Sequence, residues 1–108
     1  MEKQIIYYYT ESGKCPYSEW FNTLDKSIQL RIEKRIDKLR GGLYGDYKPL
    51  QKSELSELRM DFGRGYRIYY YDINDMIILF VGGSDKKTQK QIIQQCNEYF
   101  RDFVERNS

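Results

Sequence analysis

Apolar and polar positions along this chain follow two different periods, and the changes from one to the other predict seven elements. Ile5-Ile6-Tyr7-Tyr8-Tyr9 is β-branched and aromatic, the composition of a strand. After a polar turn containing Gly13, Pro16 suits the first turn of a short helix carrying Trp20, Phe21 and Leu24. Asp25 is placed to cap a second helix over Lys26–Arg40. Its apolar residues Ile28, Ile32, Ile36 and Leu39 recur at intervals of four, four and three, which makes one continuous stripe. Gly41-Gly42 stops that helix, and residues 43–53, with Pro49 near the centre, read as a loop. Strands follow at 55–60, 66–71 and 76–81, separated by Gly63-Arg64-Gly65 and by a turn at 72–75. The run 76–81 is almost wholly apolar, as a central strand covered on both faces would be. Beyond Gly82-Gly83 a last helix is expected, capped by Ser84 or Asp85 or, if it begins later, by Thr88 with Gln91. Its stripe is Ile92, Cys96, Tyr99 and Phe103, with Ile93 and Phe100 beside it.

The predicted order is therefore β-α-α-β-β-β-α, an α+β fold within one domain of 108 residues. Three successive strands make an antiparallel meander, and the first strand joins it at an edge or centrally. This gives a small, mainly antiparallel four-stranded sheet with a helical hairpin and a C-terminal helix. No apolar run approaches a membrane span, and Met1-Glu2-Lys3 is not followed by the apolar run of a signal peptide. Two widely separated cysteines, Cys15 and Cys96, form no disulfide framework. A cytoplasmic protein with reduced thiols is expected, and Cys96 on its stripe reads as a small buried hydrophobe.

Charge changes this picture through its distribution. The net charge is only +2, yet eight basic residues face three acidic ones between Lys26 and Lys52. Such a patch could steer a polyanion, or it is the solvated face of an amphipathic helix. Eleven tyrosines supply rings that pack in cores, and the same rings stack on bases. Histidine is absent, so no imidazole serves as base, nucleophile partner or metal ligand. No metal or cofactor is expected.

Candidate chemistry gathers around the hairpin that carries Arg59, Arg64 and Arg67. Glu57, Arg59 and Asp61 point to one face of their strand, and Leu58, Met60 and Phe62 to the other. A three-residue loop, Phe62-Gly63-Arg64, places Arg59 opposite Arg67 and Glu57 opposite Tyr69. Guanidinium groups so placed, about 5 Å apart, repel each other unless a carboxylate or a bound phosphate lies between them. A two-residue loop instead puts Arg67 opposite Met60 and splits the pair across faces. Tyr44, Tyr47 and Lys48 form a second cluster, suited to stacking bases and holding phosphates or, equally, to packing over the sheet edge. Lys86 and Lys87 fall at the start of the last helix, whose amides already favour an anion; the alternative is that they are ordinary solvated lysines.

Four stretches together resemble the RelE/ParE toxin superfamily, most of all its HigB-like branch of phage-derived addiction module killer proteins. They are Pro16-Tyr17-Ser18-Glu19-Trp20-Phe21, Gly45-Asp46-Tyr47-Lys48-Pro49-Leu50, the run from Glu57-Leu58-Arg59 to Gly65-Tyr66-Arg67-Ile68-Tyr69-Tyr70, and Gly82-Gly83-Ser84-Asp85-Lys86-Lys87-Thr88-Gln89. The resemblance implies a toxin that inhibits translation as a ribosome-dependent mRNA endoribonuclease, or mRNA interferase. In such enzymes the ribose 2′-hydroxyl attacks the adjacent phosphate without a metal. By that likeness Arg67 would stabilise charge on the scissile phosphate, and Lys86 and Lys87 would stand in the segment that carries other active-site groups. By the same likeness Arg59 would have a structural or substrate-binding role, and Lys48 would stand near the basic loop that contacts RNA. Tyr99 or a C-terminal residue would stand in for the tyrosine base of some relatives. Arg64, Tyr47 and Tyr44 are added as RNA contacts from their own chemistry and place in the chain. The implied partners are mRNA, the 70S ribosome and a cognate antitoxin protein. Two alternatives stay open: a ParE-like inhibitor of DNA gyrase, and a non-catalytic relative that only binds RNA or protein.

Overall fold

Strand and helix signals convert into a five-stranded sheet with helices on both faces. The structure, a computed structural model, describes residues 2–83 and 88–108. In chain order the elements are β1 (Gln4–Tyr7), α1 (Pro16–Phe21), α2 (Lys26–Arg40), β2 (Tyr47–Pro49), β3 (Ser56–Met60), β4 (Tyr66–Ile73), β5 (Met76–Gly83) and α3 (Gln89–Arg106). The sheet runs β1-β5-β4-β3-β2, with β1 parallel to β5 and the other three pairings antiparallel.

The expected four-stranded sheet, in the order β-α-α-β-β-β-α, is thus corrected to five strands. The additional strand, β2, lies in the segment read as loop. It has three residues, all exposed, and one is a proline, so neither alternation nor burial announces it. Proline is tolerated because β2 is an edge, where one side of the backbone needs no ladder partner. Arg35 on α2 holds its approach. The guanidinium donates to the carbonyls of Tyr44 and Asp46 at 2.9 Å each and to that of Arg59 at 2.7 Å. Gly45 (φ +65°) passes so close beneath this group that a Cβ would lie 2.9 Å from Arg35 Nη2.

Helix α2 has the bounds read from its stripe, and Ile32, Ile36 and Leu39 are buried. Asp25 occupies the cap position of α2, but its side chain makes no capping bond. At the other end Gly42 takes a left-handed φ of +89°, which lets Leu43 N–H reach the carbonyl of Lys38 at 2.8 Å. The core is divided by the sheet. On one side Leu58, Ile68, Tyr70, Ile77 and Leu79 pack against α1 and α2. On the other Leu55, Tyr69, Ile78, Phe80 and Val81 pack against the Cys96 stripe of α3. A bulge in β5 between the pairs Tyr69–Val81 and Tyr70–Leu79 lets consecutive Phe80 and Val81 both serve the α3 side.

Candidate nucleic-acid interface

The β3–β4 hairpin adopts the register of a three-residue loop: Arg59 pairs with Arg67, and Glu57 with Tyr69. Gly63 (φ +59°) and Gly65 (φ +82°) supply the left-handed backbone that the turn requires. Helix α2 braces its tip, with the Arg31 guanidinium 4.0 Å from the centre of the Phe62 ring.

Period-two alternation turns Arg59 and Arg67 to the α3 side of the sheet, where apolar packing stops short of them. Gly83 lies opposite Arg67 on β5 and has no side chain to fill the space. The result is a cleft of about 230 Å³, lined by Arg59, Arg64, Arg67, Tyr69, Gly83 and Gln89 among others. Arg67 is held from two directions: Nη1 donates to Gln89 Oε1 at 2.6 Å, and Nε stands 3.8 Å from Glu57 Oε2. Its side chain keeps 28% of its surface exposed. Arg59 Nη1 lies 3.9 Å from Glu57 Oε1, and Arg59 Nε lies 3.5 Å from Asp46 Oδ2. Asp46 and Asp61 line the same cleft. Three arginines therefore meet three carboxylates, counting buried Glu57, and the formal charge here sums to zero. What the cleft offers a ligand is directed N–H donors rather than a bare positive field.

The other expected site residues divide between the two sides. Lys48 is exposed on β2 opposite Glu57, which puts it on the arginine side. Arg64 is exposed in the hairpin turn. Tyr47 pairs with Leu58, so it belongs to the other face, where its ring lies 5.3 Å from that of Tyr44. The Tyr44 hydroxyl donates to Asp72 Oδ2, and the other oxygen of Asp72 takes Lys3 Nζ at 2.5 Å. Burial, then the Asp72 contact, pushes the Tyr44 phenol above its ordinary value. These contacts place the Tyr44 side chain apart from the cleft arginines. Tyr99 packs its ring 5.2 Å from that of Tyr8. It sits ten residues beyond Gln89 on α3, about 15 Å along the axis, and burial raises its phenol. Neither tyrosine reaches the cleft. Lys86 and Lys87 lie outside the described residues; Gly83 and Gln89, on either side of that segment in sequence, both line the cleft.

Three residues at or beside the site were not among the expected site residues. Gln89 anchors Arg67, Asp46 pairs with Arg59, and Arg35 fixes the loop that carries Asp46. Helical spacing puts Arg35 beside the apolar stripe of Ile32, Ile36 and Leu39, but its reach to the loop before β2 is visible only in the structure. Among the described residues, no group of three Cys, Asp or Glu side chains is placed to hold a metal ion, and no helix is long and apolar enough to cross a membrane.

No family model matches the chain, and no solved structure matches it. An uncharacterized protein of Haemophilus influenzae is 34% identical over 81 residues, which span 74% of this chain and 81% of that protein. The chain belongs to the same family as that protein. The relative's name attaches no activity to the family, so the reading of the cleft rests on its own chemistry.

Proposed function

We propose that this protein is a toxin of the RelE/ParE kind that cuts mRNA on the ribosome, with the hairpin cleft as its phosphate site. One observation carries the reading: Arg59 and Arg67 stand side by side on adjacent strands, at an open cleft, with donors not consumed by close ion pairs. Two planar guanidinium forks match the oxygens of a phosphodiester better than lysines would. Transesterification by a neighbouring 2′-hydroxyl needs charge stabilisation on the phosphate and an aligned attack, both of which rigid donors supply. In this scheme Arg67, tied to Gln89, meets the scissile phosphate, while Arg59, Arg64 and Lys48 hold the flanking backbone. The 2′-hydroxyl proton passes to a group brought by the ribosome, by the substrate or by the segment containing Lys86 and Lys87. Tyr44 and Tyr99 are not assigned that role. The antitoxin partner is proposed to act by covering this cleft.

The test is a translation extract supplied with a defined mRNA and purified protein. Cleavage with 5′-hydroxyl and cyclic or 3′-phosphate ends, seen only while ribosomes translate, is the expected result. Intact mRNA together with altered plasmid supercoiling by gyrase would replace this reading with the gyrase one.

A further inference from the structure

We propose that Glu57 is a positioning residue, an internal counter-ion that keeps Arg59 and Arg67 paired until a phosphate takes over that role. The inference rests on reading the cleft as a phosphate site, and it concerns how that site is held ready. Glu57 is the one charged residue among the buried polar groups of the described chain, at 3% exposure. It lies one cross-strand row from the arginine pair, on the same face. Its two oxygens divide between the arginines, Oε1 at 3.9 Å from Arg59 and Oε2 at 3.8 Å from Arg67. Neither distance is a hydrogen bond, and Oε2 is buried with no hydrogen-bond partner.

That arrangement is poor as a stabilising ion pair. A carboxylate withdrawn from water is costly unless its lone pairs are satisfied, and an apolar side chain of similar volume would often serve the fold better. The contacts make sense if their purpose is to neutralise two cations without occupying their donors. Arg59 is left to approach Asp46, and Arg67 to bond Gln89. Without Glu57 the directly opposed guanidiniums repel each other. With a phosphate in the cleft they no longer need it. Glu57 thus trades anion affinity for preorganisation, since its own charge opposes the incoming phosphate.

The experiment compares wild type with Glu57→Gln, which keeps the shape and removes the charge. Thermal melting is followed in low-salt buffer with and without inorganic phosphate, and phosphate binding is titrated directly. Glu57→Gln should melt below wild type in the absence of phosphate. It should gain several degrees more than wild type when phosphate is added, and bind phosphate about tenfold more tightly. Adding Arg67→Gln to Glu57→Gln should remove that gain. If Glu57→Gln folds only when phosphate is present, the proposal is met in its strongest form. If it folds in neither buffer, or responds to phosphate as wild type does, the proposal is overturned, because a purely structural acid gives no anion-specific rescue. The same proteins in the translation extract separate the two ideas. Anion rescue without mRNA cleavage retires the ribonuclease reading and leaves the role of Glu57 standing. Cleavage without anion rescue does the reverse.

Discussion

Two faces of one hairpin show how little sequence separates a core from a site. Strand β3 alternates Glu57, Leu58, Arg59 and Met60. Leu58 and Met60 sink into the layer under α1 and α2, while Glu57 and Arg59 turn toward α3. On the helical-hairpin side Leu58, Ile68, Ile77 and Leu79 have no exposure at all. On the α3 side the apolar layer ends near Tyr69, and the charged row begins one pair further along the hairpin. The dry face gives the hairpin the rigidity that lets the wet face hold charged groups in a fixed array. A one-residue slip would exchange the two sets wholesale, so the hydrophobic face sets the register of the arginines.

Breaking the dry face should have the largest effect. Leu58→Ala is expected to cost about 2–5 kcal/mol of unfolding free energy, read by denaturant titration, and any loss of activity should follow the unfolded fraction. The paired glycines sharpen the comparison, since Gly82 and Gly83 point to opposite faces. A Cβ at Gly82 would lie 2.4 Å from the rigid Trp20 ring, whereas at Gly83 it would meet only the end of the Ile92 side chain at 2.5 Å. Gly82→Ala should therefore destabilise by about 1–3 kcal/mol and Gly83→Ala by less. Gly83→Ala should instead show itself in the cleft, as weaker RNA association in a folded protein.

The legibility of the two faces differs for the same reasons. Side-chain period narrowed the hairpin to two registers, because it is a local property, and the observed pairing of Arg59 with Arg67 selects the three-residue loop. The α2 stripe and its diglycine stop were local in the same way. Strand β2 escaped notice because three exposed residues carry no pattern, and what fixes them is Arg35, on a helix that ends before they begin. The hydrogen bond between Tyr44 and Asp72 spans 28 residues, a separation that no local pattern announces. Gln89 was invisible as an anchor because nothing in a helix's first turn says which strand residue it will meet. The parallel pairing of β1 with β5 likewise has no local signature.

Smaller effects probe the margins. Lys48→Ala, exposed beside the charged row, should leave stability unchanged. It should lower the dependence of log affinity for RNA on log salt by about one unit. Smallest of all is the tie between α3 and the β1 end of the sheet. Asp102 Oδ2 accepts from Arg106 Nη2 at 2.7 Å and from the Tyr8 hydroxyl at 2.5 Å. Arg106 first, and Tyr8 second, hold the Asp102 carboxyl below its ordinary value of 3.8. A depressed folded value means that the contribution is fully present above the ordinary value and is lost as pH falls through the folded one. Asp102→Asn should therefore melt slightly below wild type at pH 7, and the gap should close as the solution is acidified past the carboxylate range.

The arginine array itself is tested most directly by the single-turnover rate at which ribosome-bound mRNA is cut by wild type, Arg67→Lys and Arg67→Ala. The proposed role predicts a fall of about 10²–10³-fold for Arg67→Ala, with Arg67→Lys recovering only part of it and both variants retaining the wild-type circular dichroism spectrum. A folded Arg67→Ala protein that cuts at the wild-type rate would contradict it.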